Sequence, residues 1–188
     1  MRSKIYNDYH MKKYSHKEVV KKVKNIVEKA CKKESNIYGY DAWEHHILPV
    51  VKYSKMLAKK IGADEKVVEL AALLHDYGAV NGDPDEHHIS GAKEAEKILK
   101  KFNYPKEKIE KIKHCIYAHR SSRPIKRETI EAEIVASADA MAHFEDIPSL
   151  FYLVFTKHKL DIEEGVESLK GKLARDWKKL MPQAKKNN

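Results

Sequence analysis

The sharpest concentration of reactive side chains is Leu73-Leu74-His75-Asp76-Tyr77-Gly78, where an apolar stretch ends abruptly in an imidazole and a carboxylate. Imidazole ligates zinc, iron, manganese, cobalt or nickel, and a carboxylate suits the harder members of that group. Free carbonyls at a helix end carry partial negative charge, which favours a cation. Neighbouring side chains point about 100° apart on a helix, so both reach one ion best where the helix terminates. Further ligands lie elsewhere: His46 upstream, His87-His88 shortly downstream, His119, and Asp139 within the small apolar run Ile134–Ala142. An ionised Asp139 in such a run requires a partner, because an unpaired buried charge is very costly. A metal ion is one sufficient partner, and a bonded structural aspartate is the simpler alternative.

The surrounding elements read as helices. Ser15-His-Lys-Glu18 has the form of a capping box, and Val19, Val20, Val23, Ile26, Val27 and Ala30 follow at helical spacing. Asp41-Ala-Trp-Glu44 has the same form, and Ile47 to Ile61 continues a helix that Pro49 either interrupts or begins. Gly62 closes that helix and Asp64 opens the next, which leads to His75-Asp76 with Gly78 as its stop. Residues 81–87 read as a polar loop, followed by helices over about 90–101, from Pro105 to His119, and from Thr129 to about His143. Leu150 to Lys157 fits helix better than strand. Asp161 caps a last helix whose face carries Val166, Leu169, Leu173, Trp177 and Leu180. The fold class is therefore all-α, a helical bundle in one domain over 1–188. Its expected parts are a basic helical extension over 1–40, a metal-binding core over 41–146 and further helices over 147–188.

Composition narrows the classes. Of the 188 residues 42% are hydrophobic and 35% charged, a soluble globular balance, and seven glycines with six prolines argue against a turn-rich β fold. No apolar run is long enough to span a bilayer, and the first residues lack the apolar stretch of a secretory signal. Cys31 and Cys115 form neither a CxxC pair nor a disulfide framework, which points to reduced thiols and a cytoplasmic location. The +9 formal charge is concentrated at the ends: residues 1–35 hold eleven Lys/Arg against four Asp/Glu, and 157–188 hold nine against five. Such ends can attract phosphate-rich partners, although a solvated Lys-rich helix surface is the commoner explanation. Gly-rich phosphate loops, GxGxxG, GxSxG and HExxH are all absent.

The ordered set His46, His75-Asp76, Asp139 resembles the HD-domain superfamily of metal-dependent phosphohydrolases. Trp43-Glu44-His45-His46-Ile-Leu-Pro-Val50 is similar to its first ligand helix, and on that register His46 is the ligand. His87-His88-Ile-Ser-Gly91-Ala92 and Cys115-Ile-Tyr-Ala-His119-Arg120 resemble ligand segments of two-metal members, and Ala138-Asp139 resembles the closing aspartate. The resemblance covers Trp43 to roughly His143.

That resemblance implies hydrolysis of a phosphate ester or anhydride of nucleotide-like size, with one or two divalent ions (Fe, Mn, Co, Ni or Zn). Asp76 would bridge; His46, His75 and Asp139 would complete one site, and His87 and His119 the other. His75 and Asp76 would be the catalytic pair. Phosphate also needs cations, and Arg120, Arg123 and Lys126 follow His119 directly. Asp83, Asp85 or Glu86 offers a general acid or base. His88 and His143 are expected to support the ligands from behind, whereas His10, His16, His114 and His158 are expected at the surface. Two other readings share the ligand set or the charge: a di-iron oxygenase, and a non-catalytic module binding nucleic acid or a partner through the basic N-terminal helix.

Overall fold

The computed structural model describes residues 13–185, which are helical with no strand among them. His10 lies outside the described residues. The chain runs α1 (His16–Cys31), a π-helical turn (Trp43–Ile47), α2 (Leu48–Ile61), α3 (Glu65–Leu74), α4 (Tyr77–Val80), α5 (His87–Lys101), α6 (Lys106–Ala118), α7 (Ile130–Glu145), α8 (Ile147–Phe151), a second π turn (Tyr152–Lys157), α9 (Ile162–Lys179) and α10 (Pro182–Lys185).

Two helices occupy the centre because they are apolar nearly all round, and such helices bury every face. In α3, Val67, Val68 and Leu70 to Leu74 are buried. In α7, every residue from Ile134 to Ala142 is buried, including Ser137 and Asp139. The alanines of α7 keep its girth small, so α2, α3, α6 and α9 all pack against it. The amphipathic helices surround this pair. α1 contributes Val19, Val23 and Val27 to the same core, and its start is fixed by the Ser15–Glu18 capping box. Leu150, Val154 and Leu169 form a smaller apolar cluster joining α8, the second π turn and α9.

Several local expectations change in the folded chain. The segment at Asp41–Glu44 forms no side-chain cap; the π turn starts there instead, and the Leu48 N–H reaches back to the Trp43 carbonyl. The wider turn leads into Pro49, which has no N–H to donate and sits in the first turn of α2. Gly78 does not stop a helix. α3 ends at Leu74, and Asp76 leaves helical geometry at φ −103°, ψ 12°. Gly78 lies inside α4, where α5 passes too close for a side chain.

The polar loop ends one residue early, so His87 and His88 open α5. The buried side of α9 is Gly165, Leu169, Asp176 and Lys179, while Trp177 is half exposed. His16 is not a surface residue; it is half-buried between Tyr104 and Glu69.

Candidate metal centre

The ends of separate helices converge at one point. The π turn carries His46, the α3–α4 break carries His75 and Asp76, α5 begins at His87, α6 ends at His119, and α7 carries Asp139. His46 Nε2 is 3.0 Å from His75 Nε2, 3.3 Å from Asp76 Oδ2 and 3.2 Å from Asp139 Oδ1. On the other side of the same carboxylate, Asp76 Oδ1 is 3.6 Å from His87 Nε2 and 3.4 Å from His119 Nε2. Asp76 thus offers one oxygen to each of two histidine sets.

The donor chemistry fits divalent metal ions. His75, His87 and His119 each hold Nδ1 against a carbonyl three residues earlier, at 2.7, 2.8 and 2.5 Å. Nδ1 donates in such a bond, so Nε2 is the nitrogen each ring turns toward the centre and, in the neutral ring, the one that carries the lone pair. Ligand atoms of His46, His75 and Asp76, and of Asp76, His87 and His119, lie close enough to share an ion within each set.

The electrostatics follow from burial and from the close approach of imidazoles and carboxylates. Burial works to raise the Asp76 carboxyl, but His75, His119 and His46 outweigh it and hold it well below the usual carboxylate range. Burial pushes the His119 imidazole down to about 4, so it is neutral at physiological pH. Burial also works to lower His46, yet its hydrogen bonds to Asp139 and Asp76 raise it to about 9.

His46 is therefore protonated at neutral pH in the metal-free protein, and a metal must displace that proton. Metal affinity is expected to strengthen as pH rises toward 9 and to weaken below it. Loading near pH 7.5 is expected to release about one proton from His46. Calorimetric titrations in two buffers of different ionisation enthalpy check this; identical heats would show that His46 is already neutral.

The paired histidines divide their tasks. His45 turns away from the centre to Asp146, at 2.8 Å. His88 is buried beside the centre, stacked on Tyr117 with Arg120 Nη1 3.2 Å from its Nδ1. Arg120 also donates to the Asp85 carbonyl and to Ser122, and Arg123 pairs with Glu86 at 3.1 Å. Lys126 is exposed on the same loop. Asp83 accepts the Glu86 N–H at 3.1 Å, ordering the turn into α5.

A cavity of about 430 Å³ opens beside His46 and Asp76 and runs between the first π turn and α8. Tyr38, Asp41, Asp146, Tyr152 and Lys157 line it, together with apolar side chains; Arg120, Arg123 and Lys126 do not. Burial, with Asp76 adding to it, pushes the Tyr38 phenol up to about 12, so it remains a hydroxyl.

The sequence pattern did not point to α9. Its Lys179, only 2% exposed, contacts Asp139 Oδ2, and its fully buried Asp176 lies 3.1 Å from His143 Nδ1. His143 stacks on His46 with ring centres 4.7 Å apart. The available signal was the spacing Lys172, Asp176, Lys179, which places three charges on one helix face.

Comparison with known proteins places the chain in a family. Residues 43–144 match the HD domain. Ribonuclease Y of Petrotoga mobilis is 35% identical over 107 residues, covering 56% of this chain and 19% of that protein. Ribonuclease Y of Sulfurovum sp. is 30% identical over 156 residues, 79% of this chain and 26% of that protein. A tRNA (cytidine(56)-2'-O)-methyltransferase of Picrophilus torridus is 32% identical over 119 residues, 58% of this chain and 34% of that protein. The chain thus spans well under half the length of these curated relatives. No solved structure matches it. None of the described helices is long and apolar enough to cross a membrane. With the HD domain matched across more than half its length, and with the ordered histidines and aspartates gathered at one centre, this chain belongs to the HD-domain family of metal-dependent phosphohydrolases.

Proposed function

We propose that this protein hydrolyses the phosphate ester or anhydride bond of a nucleotide or related small phosphate compound, using two divalent ions. The observation that carries the reading is the division of Asp76 between His46–His75 on one side and His87–His119 on the other. Two ions held there would supply a water acidic enough to ionise near neutral pH and a grip on the phosphoryl oxygens.

The chain's own residues do the rest. His46, His75, Asp76 and Asp139 would hold one ion, and Asp76, His87 and His119 the other. The backbone carbonyls of Ala72, Pro84 and Ile116 keep His75, His87 and His119 in the ligating tautomer. Arg120, Arg123 and Lys126 are the proposed phosphate-binding cations, on the His87–His119 side. The cavity beside His46 would receive the leaving group: its size suits a nucleoside-sized body, Tyr38 and Tyr152 offer flat faces, and Tyr38 can donate a hydrogen bond.

A second reading draws on the ribonuclease Y relatives: cleavage of an RNA phosphodiester at the same centre. The experiment is metal analysis followed by parallel assays on nucleoside monophosphates and a short RNA. About two ions per chain with inorganic phosphate released from the monophosphate is the expected result. RNA cleavage without phosphate release would select the second reading. Oxygen consumption by the iron-loaded protein, with neither hydrolysis, would select an oxygenase. Salt-sensitive RNA binding that persists without metal or turnover would select a binding module.

A further inference from the structure

The two oxygens of Asp139 have different partners. Oδ1 faces His46 at 3.2 Å, His143 at 3.7 Å and His75 at 3.9 Å. Oδ2 meets Lys179 Nζ and no other polar group among the described residues. The last torsion of an aspartate is soft, so its own helix does not decide which oxygen faces the centre. Around Asp139, α7 is a buried run of alanines and aliphatic side chains with one serine, and that serine takes the Met181 N–H instead. The hold on Oδ2 therefore comes across from α9. An ammonium placed there would also repel a metal ion. Asp176, fully buried on the same helix, lies 3.4 Å from Lys179 Nζ and 3.0 Å from Lys172 Nζ. Two lysines thus face two carboxylates, and the cluster opposes a cation with no net charge.

We propose that Lys179 is a positioning residue of the metal centre: by holding Oδ2 it fixes Asp139 as a one-oxygen ligand, with Oδ1 turned to His46 and His75, while Asp176 offsets its charge. This rests on the reading of His46, His75, Asp76 and Asp139 as metal ligands. It gives the buried Asp176 a task, since a lysine left without an anion beside it could not stay charged in such a place. Asp176 also lies 3.1 Å from Nδ1 of His143, whose ring stacks on His46, so one carboxylate braces two groups that touch ligands. Groups behind the ligands orient them and tune their affinity. Lys179 and Asp176 belong to α9, beyond residues 43–144 that match the HD domain, so the metal centre of this chain is completed by its C-terminal helix.

The test is metal affinity, with no assay of turnover. Zn²⁺ is titrated into the full chain against a chromophoric chelator, for the wild type, Lys179→Met and Leu169→Ala. Lys179→Met is expected to weaken one ion by about 10–100-fold and to leave the other unchanged. Leu169→Ala loosens the apolar seat of α9 without touching the charges, and is expected to leave both ions unchanged. A folded Lys179→Met variant with wild-type affinities overturns the proposal. Tighter binding overturns it too, because repulsion by the ammonium would then outweigh its hold on Asp139. Equal weakening in Lys179→Met and Leu169→Ala also overturns it, since the packing of α9 would be what matters. Should Lys179→Met fail to fold because Asp176 is left unpaired, Lys179→Met/Asp176→Asn removes both charges and carries the same expectation. Failure of that variant to fold makes Lys179 a packing element and overturns the proposal. The wild type judges the metal reading separately: two ions bound with unchanged affinities in the variants defeats only this inference, whereas no zinc in the wild type defeats both.

Discussion

Replacing Asp76 with Ala is expected to abolish hydrolysis while leaving the protein folded. The carboxylate is the one group placed between both histidine sets, so its loss should strip both ions rather than one. Turnover should fall by at least about 10³-fold, equivalent to about 4 kcal/mol of lost transition-state stabilisation, and metal content should fall from about two ions to less than one. The fold should persist because the Asp76 side chain caps no helix and the core around α3 and α7 is unchanged. Losing Asp76 also removes one of the groups that raise His46, so the metal-free variant should have a less basic His46. Circular dichroism, metal analysis and phosphate release together check this. A variant that keeps both its metal and its turnover would disprove the proposed centre.

Gly78→Ala is expected to damage stability and the site together. A Cβ on Gly78 would lie 2.5 Å from Ser90 Oγ, 2.6 Å from the His87 carbonyl oxygen and 2.8 Å from the Gly91 nitrogen. Ser90 can rotate away, but the other two atoms are backbone at the start of α5. Close-packed interiors transmit such overlap instead of absorbing it, so α4 and α5 must separate. The cost of overpacking of this kind is about 1–3 kcal/mol, and the melting temperature should fall by several degrees. The displaced residue is His87, so the Asp76–His87–His119 set should lose its ion before the His46–His75 set does. Thermal melts and metal analysis read both effects. A Gly78→Ala protein with wild-type melting temperature and metal content would show that the two helices do not meet this closely in solution.

Much of this was legible in the chain itself, for local reasons. The continuous apolar run of α3 ending at His75-Asp76 announces both a buried helix and a polar site at its end. Ser15-Glu18, Asp64 and Thr129 mark helix starts because their side chains bond the first free N–H groups, whatever the rest of the chain does. The small apolar run around Asp139 marks a buried carboxylate in need of a partner. Gly62 closes α2 in the left-handed conformation that glycine accepts readily.

Other features depended on which surfaces meet. Whether Gly78 ends a helix or admits a neighbour depends on where α5 passes. His45 and His46 are the same residue type side by side; the family register pointed to His46, and the π turn and Asp146 are what turn His45 away. The periodicity of α9 points to its apolar stripe, yet the fold buries a face bearing Asp176 and Lys179, because Asp139 and His143 of α7 supply the opposite charge and the polar partner.

By itself, then, the sequence determined the helical class, most helix ends, and a candidate ligand list, since hydrophobic period, capping and side-chain chemistry act over a few residues, and the family resemblance implied the division of that list around Asp76. Only the tertiary structure decided that a cavity opens on the His46 side and that a distant lysine holds Asp139. Distances between helices and the pairing of buried charges are set by packing across the whole core, which no local pattern contains.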